Sequence, residues 1–313
     1  MIETENLGKR YGDHVAVEDL NLEVRPGEIY GFLGPNGAGK TTTIHMLLNL
    51  VPPTNGRICL FGEPLQRGSF AFRQHIGVVA EEPVELSSLT GWELVRYFGR
   101  LCGVDAPERR MEELFRALEL WDARDALAHD YSRGMRQKLS LIRALVHTPR
   151  LLILDEPVSG LDPHGIRQVR ELIHAYRDQG GTVFISSHIL SEIERSADRI
   201  GILHQGALVI EDSLAGLRRR LGSGRRMVVE LERTAAPLVE RLGQEPYVLE
   251  LQVDDSGRQL ELLLEDEQDV RPRLSNLITE SGGVILRMES EEMSLEDAFV
   301  TFTNQNVARL ASA

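Results

Sequence analysis

The amino-acid sequence predicts an α/β protein with a largely parallel sheet, followed by a smaller α+β domain. Up to about residue 217, short β-rich runs alternate with helical stretches, which is typical of a parallel sheet with helices on its faces. Several of these runs are apolar throughout, as in strands that are covered on both faces. Glycines and arginines then interrupt the pattern, and a different order of segments follows. We therefore predict a core domain over 1–217, a linker over 218–226 and an accessory domain over 227–313.

Composition and charge exclude several classes of protein. The 313-residue chain is 42% hydrophobic and 27% charged, which is a globular composition. Its net charge of -13 argues against a generic binder of nucleic acid or anionic lipid, because both need a basic face. No apolar run approaches the roughly 18 residues of a membrane helix, and no signal-peptide core follows Met1. Cys59 and Cys102 are isolated, so neither disulfides nor a zinc site are expected.

The predicted strands of the core domain are residues 28–34, 57–62, 76–80, 151–155, 182–186 and 200–204. Between about 84 and 150 the pattern becomes helical. Thr90 and Glu93 have the spacing of a capping box, and the segment 108–121 carries apolar residues at helical intervals. The sequence therefore predicts a helical subdomain inserted into the core domain.

The accessory domain shows the order β, α, β, β, α, β, α over 227–313. Such an order indicates a small sheet with helices on one face, and it is compatible with a ferredoxin-like topology.

A glycine-rich loop, GPNGAGKTT, lies between the first predicted strand of the parallel sheet and a helical segment. Its backbone N–H groups can point toward phosphates, helped by the positive end of the following helix. Lys40 supplies a charge to the β and γ phosphates, and the Thr41 hydroxyl can bind Mg²⁺. The predicted ATP-binding residues of this loop are Gly34, Pro35, Asn36, Gly37, Ala38, Gly39, Lys40, Thr41 and Thr42.

Two adjacent acids follow the apolar run LLIL. Charges beside a buried strand lose several kcal/mol of hydration unless a cation or hydrogen bonds compensate. Downstream of a phosphate loop, Asp155 is expected to hold Mg²⁺ or its water, and Glu156 to polarise the attacking water. Taken alone, LLILDE is an ordinary strand that meets a loop; paired with the phosphate loop, it predicts a site for ATP and Mg²⁺.

The segment YSRGM, residues 131–135, comes just before that strand. Ser132 is a good N-cap, and a helix is predicted to begin there; read alone, this is an amphipathic core helix. Together with the phosphate loop and LLILDE, however, it resembles the ATP-binding subunits of ABC transporters over nearly all of 1–215. The resemblance implies a P-loop NTPase in which Ser132, Arg133 and Gly134 contact ATP held by a second subunit.

The same resemblance assigns three further residues. Asp162, at the end of SGLD, belongs to the loop that joins the two ATP sites. His188 is the switch histidine that contacts the γ-phosphate, so that the catalytic pair is Glu156 and His188. Tyr11 is the aromatic residue that stacks on adenine.

The sequence departs from the family pattern at two positions. Glu81 stands where the family usually has a glutamine that contacts Mg²⁺; a carboxylate can also bind the metal, but it adds negative charge beside the triphosphate. Arg133 stands where the signature usually has its first glycine. Its guanidinium is expected either to reach a phosphate across the interface or to point to solvent.

The C-terminal segment EEMSLEDAFVTFT resembles the tail of ATPases that serve ABC-2-type exporters, including drug- and antibiotic-resistance pumps. The resemblance implies a homodimer of ATPase subunits, bound to ABC-2-type membrane permease subunits at the cytoplasmic face of the cell membrane. Residues 81–103 resemble the surface that receives the membrane subunit. Two alternatives are a soluble ABC ATPase that acts on ribosomes or DNA, and the ATPase of an importer.

Overall fold

The computed structural model describes residues 1–82, 88–220, 225–232, 236–254, 258–264 and 270–292. The chain divides into two compact units, Met1–Leu214 and Ala215–Ala313, and each is described by itself. The strands of the first unit are β1 (Ile2–Tyr11), β2 (His14–Val24), β3 (Ile29–Leu33), β4 (Asn55–Leu60), β5 (Glu63–Pro64), β6 (Ile76–Val79), β7 (Leu151–Asp155), β8 (Thr182–Ser187), β9 (Arg199–His204) and β10 (Ala207–Ser213). Its helices are α1 (Lys40–Leu47), α2 (Gly91–Leu101), α3 (Glu108–Ala117), α4 (Arg133–Leu145), α5 (Pro163–Asp178) and α6 (Leu190–Glu194).

A six-stranded sheet lies at the centre of the first unit. Its strand order is β10-β9-β3-β8-β7-β6, and every neighbouring pair is parallel except β10 with β9. Every residue of β3, β7 and β8 is buried, which explains why these runs are apolar almost throughout. Because parallel strands end at the same edge, the loops after β3, β7 and β8 lie side by side.

A second sheet, with the order β2-β1-β4-β5, is antiparallel. The strand predicted over 57–62 is β4, which belongs to this second sheet because it pairs with β1. Strands β1 and β2 were not predicted because exposed and buried residues alternate along them, so that they form no apolar run. One buried core joins the two sheets: it contains Val17 and Leu22 of β2, Ile44 of α1, and Phe32 and Phe184 of the parallel sheet.

The predicted helical subdomain consists of α2, α3 and α4. The capping box is confirmed: Thr90 Oγ1 accepts from the backbone N–H of Glu93, and the Glu93 side chain accepts from the N–H of Thr90. Both tryptophans of the chain lie here, with the ring centroids of Trp92 and Trp121 5.8 Å apart. None of the helices among the described residues is long and apolar enough to span a bilayer.

The second unit contains a four-stranded antiparallel sheet with the order β12-β13-β11-β14. Its elements, with the helix that enters it, are α7 (Leu214–Arg220), β11 (Arg225–Leu231), α8 (Ala236–Gly243), β12 (Val248–Val253), β13 (Gln259–Leu264), α9 (Arg271–Glu280) and β14 (Ile285–Glu292). Leu238 and Leu274 of the two helices pack against Val229 and Leu262 of the sheet in one core. The order of elements matches the sequence reading through β14, while the ferredoxin-like assignment stays a prediction. Residues 293–303 of the exporter-like tail lie outside the described residues.

Secondary structure extends into both ends of the predicted linker over 218–226. Helix α7 continues to Arg220, and β11 begins at Arg225. Arginine is a good helix former, so the run of arginines continues the helix, and Arg225 and Arg226 pair with β13. Only 221–224, which lie outside the described residues, separate the two elements.

Candidate nucleotide site

Two glycines shape the loop after β3, at positions that admit no side chain. A Cβ built on Gly39 would lie 2.3 Å from the carbonyl oxygen of Ala16, and one built on Gly34 would lie 2.4 Å from that of Leu203. The loop therefore runs in close contact with β2 and β9. It leads directly into α1, whose first residue is Lys40, so that the free N–H groups at the helix start are available to an anion.

We expect Gly39→Ala to lower the free energy of unfolding by about 2–4 kcal/mol, because both the backbone and the new methyl group are strained. Gly39 has a φ of +107° in addition to its contact with Ala16. Gly37→Ala is the matched control, since Gly37 has a φ of +80° but no atom within 4 Å of its Cβ position. It should cost only about 1–2 kcal/mol. Chemical denaturation measures the free energy of unfolding of both variants. Equal losses would contradict the prediction, because they would show that β2 moves at Ala16 without cost to make room for the methyl group.

Lys40 connects the loop to the acid that follows β7. It is buried, with 6% of its surface exposed. Its Nζ donates to the carbonyl oxygens of Gly34 at 2.8 Å and Pro35 at 3.4 Å, and lies 3.6 Å from Oε1 of Glu156. His188 Nδ1 lies 2.9 Å from the other carboxylate oxygen, Oε2. The structure thus brings together three residues from separate sequence motifs and gives the buried Glu156 carboxylate the partners it needs.

Asp155 and Glu156 are both fixed by Ser186 of the neighbouring strand. Asp155 is 3% exposed, and its Oδ1 accepts a short hydrogen bond from Ser186 Oγ. The backbone N–H of Glu156 donates to the same hydroxyl at 3.2 Å. Gln137 Nε2 of α4 donates to the Glu156 carbonyl oxygen at 3.4 Å. These contacts hold Glu156 at a φ of +49°, a left-handed conformation that costs about 1–2 kcal/mol for a residue with a side chain.

Ser187 and Glu192 support the histidine from the other side, and neither was predicted from the sequence. Ser187 Oγ donates to Glu192 Oε2 at 3.1 Å and accepts from the backbone N–H of Ile189 at 3.0 Å, so the hydroxyl spans the turn that carries His188. Burial raises the pKa of Glu192, and the negative charge of Glu156 raises it further. The signal that could have found them is the serine pair directly before the histidine, with an acid four residues after it.

A cavity of about 430 Å³ opens over the phosphate loop. Its lining residues are Tyr11, His14, Ala16, Asn36, Gly37, Gly39, Lys40, Thr41, Thr42, Glu81 and Glu156. The cavity therefore collects most of the predicted ATP-binding residues in one place, together with His14 and Ala16, which the sequence did not indicate. Tyr11 is 48% exposed, and Lys9 Nζ lies 5.0 Å from its ring centroid, so one face of the ring already contacts a cation.

The three predicted metal ligands all offer oxygen atoms. Thr41 and Glu81 line the cavity, and Asp155 ends the strand that Glu156 follows. In the part of the chain that the structure describes, no three histidines, cysteines or acids surround a common point. The donor set fits a magnesium ion that enters with the phosphates and keeps several water ligands, as this ion does in nucleotide sites.

The signature residues do not line this cavity. Ser132 caps α4, since its Oγ accepts from the backbone N–H of Met135 at 3.2 Å. Arg133 is exposed, and its Nη2 donates to Ser159 Oγ of the same chain at 2.9 Å, a contact that the sequence did not indicate. The reason is the turn after Glu156, which passes close to the start of α4, so that Gly160 O lies 3.6 Å from the Cβ position of Gly134.

Asp162 has a local structural contact. Its Oδ1 accepts from the backbone N–H of Gly165 at 2.9 Å, so Asp162 is the N-cap of α5, with Pro163 as the first helical residue. The segment SGLD therefore ends where a helix begins.

Comparison with known proteins agrees with this architecture. The family model described as ABC transporter matches residues 17–159. The chain is 38% identical over 301 residues to the bacitracin transport ATP-binding protein BcrA of Bacillus licheniformis, with 96% of each chain covered. It is 40% identical over 224 residues to the daunorubicin/doxorubicin resistance ATP-binding protein DrrA of Streptomyces peucetius, with 71% of this chain and 68% of the relative covered.

Solved structures give the same result. The structure of an ATP-binding subunit of an ABC transporter matches with a TM-score of 0.67 at 32% identity, covering 70% of this chain and 92% of that one. A dimeric ATP-binding cassette in a post-hydrolysis state, bound to ADP and Pi, matches with a TM-score of 0.63 at 25% identity, covering 68% and 99%. The chain therefore belongs to the ATP-binding subunits of ABC transporters, and it is a P-loop ATPase.

Proposed function

We propose that this chain is the ATP-hydrolysing subunit of an ABC-2-type exporter, working as a homodimer with separate membrane permease subunits. The observation that carries the proposal is the alignment with a bacitracin transport protein across 96% of both chains, because it includes the second unit as well as the ATPase core. The similarity to a drug-resistance protein supports the same direction of transport. The subunit would act at the cytoplasmic face of the membrane.

The charges around Glu156 support its role as the group that activates water. In hydrolysis, the water oxygen forms a bond to the γ-phosphorus while the bond from phosphorus to the ADP oxygen breaks, and Glu156 takes the proton of the water. Lys40 Nζ lies 3.6 Å from Glu156, and the phosphates of ATP compete with this carboxylate for the same cation. ATP binding would therefore release Glu156 to act on water, while His188 keeps its hydrogen bond to Oε2.

A magnesium ion would be held by Thr41, Glu81 and Asp155. Bound there, it would neutralise charge that develops on the phosphate oxygens. Ser186 fixes the Asp155 carboxylate through its hydroxyl, which is the kind of supporting contact that orients a metal ligand.

The dimer would use the start of α4. Ser132 and Arg133 are exposed, and they lie outside the cavity that Lys40 and Thr41 line. A helix start with exposed N–H groups attracts phosphate, so Ser132 and Gly134 are suited to the γ-phosphate of ATP on a second copy, with Asp162 in the loop between the sites. The match to a dimeric cassette supports this arrangement.

Purification of the full chain from membranes of its native host tests the proposal. We expect a tagged chain to be recovered with a polytopic membrane protein in mild detergent, and its ATPase rate to change when that protein is added back in lipid. Lys40→Ala is the control variant that should keep the partner while losing hydrolysis. Recovery with ribosomes or DNA, in place of a membrane protein, would contradict the proposal and favour a soluble ABC ATPase.

A further inference from the structure

The side chain of Arg133 lies along the turn that follows Glu156. Its Nη2 donates to Ser159 Oγ at 2.9 Å. At Gly160, a Cβ would lie 2.7 Å from Nε and 2.8 Å from Cδ of Arg133. The arginine side chain thus occupies the space that a side chain at position 160 would need, and a glycine with a φ of +76° lets the two segments approach.

Both ends of this turn are fixed to functional residues. The backbone N–H of Ser159 donates to the carbonyl oxygen of Glu156 at 3.1 Å, and that of Leu161 donates to Val158 O at 3.2 Å. At its far end, Asp162 caps α5. A displacement of Ser159 therefore reaches the catalytic acid through a single hydrogen-bonded turn.

A cation at the first position of a helix is electrostatically unfavourable, because the N-terminus carries partial positive charge. Arg133 is the first residue of α4. A specific contact must offset this cost, and the hydrogen bond to Ser159 with the packing on Gly160 supplies one. Arg133 also directly follows Ser132, the residue proposed to contact ATP of the second copy.

We infer that Arg133 is a positioning residue that ties the ATP-sensing start of α4 to the catalytic turn of its own chain. The inference rests on the proposed function for the role of Ser132. It adds a connection between the start of α4 and the turn after Glu156, which the motif residues alone do not provide. When Ser132 contacts the γ-phosphate of ATP on the second copy, α4 changes position. The contact between Arg133 and Ser159, here called the tie, transmits that change to Glu156. Each site would then become active only when the opposite site is closed.

Amide hydrogen exchange on the full chain without nucleotide tests the tie itself. Arg133→Gln and Ser159→Ala should each speed exchange at the N–H groups of Ser159 and Leu161 by about three- to tenfold, as expected when one hydrogen bond to a charged group is lost. The double variant should be no faster than either single variant, because both remove the same contact. Arg133→Lys should recover part of the protection. Unchanged exchange would overturn the inference.

Arg109→Gln is the matched control, because Arg109 is an exposed helical arginine bonded to Glu113 in its own chain. It should leave exchange at Ser159 and Leu161 as in the wild type.

Steady-state turnover as a function of ATP concentration tests the coupling. We expect Arg133→Gln and Ser159→Ala to raise the ATP concentration for half-maximal turnover by about three- to tenfold, with maximal turnover less affected. Direct binding of ATP to one chain should stay unchanged, since Arg133 does not line the cavity. Faster exchange with unaltered turnover would overturn the coupling. If the wild-type chain fails to dimerise with ATP, the proposed function is contradicted. The hydrogen-exchange data still decide whether Arg133 holds the turn at Ser159.

Discussion

Replacing Glu156 by glutamine is expected to reduce ATP turnover by roughly 100- to 10,000-fold, the range for loss of a general base. The amide keeps the size of the side chain but cannot take a proton from water. ATP affinity should be equal or higher, because the amide no longer competes with the phosphates for Lys40, which lies 3.6 Å away. Release of inorganic phosphate and calorimetric titration with ATP measure the two quantities separately.

The dimer provides a second readout for Glu156→Gln. With hydrolysis blocked, the ATP-bound form should accumulate, so that gel filtration in ATP and Mg²⁺ shows a dimer. Glu171→Gln is the control, because Glu171 is an exposed acid on α5 that pairs with Arg167. If the ATP turnover of Glu156→Gln lies within a few fold of the wild-type rate, Glu156 is not the general base.

Replacing Lys40 by alanine is expected to weaken ATP binding by about 10- to 150-fold, which corresponds to the loss of 1.5–3 kcal/mol from a charge-assisted hydrogen bond. The ammonium group is buried at the floor of the loop and already directed at the carbonyl oxygens of Gly34 and Pro35. Among the described residues that line the cavity, Lys40 is the only lysine or arginine. Calorimetric titration with ATP measures the loss.

Lys138→Ala is the matched control for this measurement. Lys138 is partly buried and donates to Gln168 Oε1 at 2.6 Å, but it does not line the cavity. Its loss should leave ATP affinity unchanged. Equal affinities of the wild-type chain and Lys40→Ala, with both proteins folded, would contradict the assignment of the phosphate loop.

The sequence predicted the elements whose local pattern is strong, and it failed where pairing depends on distant residues. Strands β7 and β8 are buried on both faces, so their residues are almost all apolar. Strands β1 and β2 face the core on one side only, and charged residues such as Glu3 and Glu23 stand opposite one another in the pair. Arg225 and Arg226, the first residues of β11, were read as part of a linker because local composition does not reveal that β13 lies beside them.

The residues of the candidate site that belong to a recognisable motif could be predicted from the sequence. Lys40, Glu156 and His188 come from three such motifs, and the ends of the parallel strands bring them together. Ser186 bonds Asp155 and the backbone N–H of Glu156, and Glu192 accepts from Ser187. Many serines and acids could fill these roles, so the serine pair before His188 and the acid four residues after it are only a weak signal. The contact of Arg133 with Ser159 depends on the close approach of two turns, which only the three-dimensional structure shows.

The neighbouring rings of Trp92 and Trp121 give the molecule a built-in optical reporter. Arg116 and Arg124 each lie 4.2 Å from the Trp121 ring centroid, and no tryptophan lines the nucleotide cavity. Tryptophan emission therefore arises entirely from the helical subdomain. A spectral change on adding ATP would record the response of that subdomain to an event at a remote pocket, and it could be followed in real time without attaching a dye.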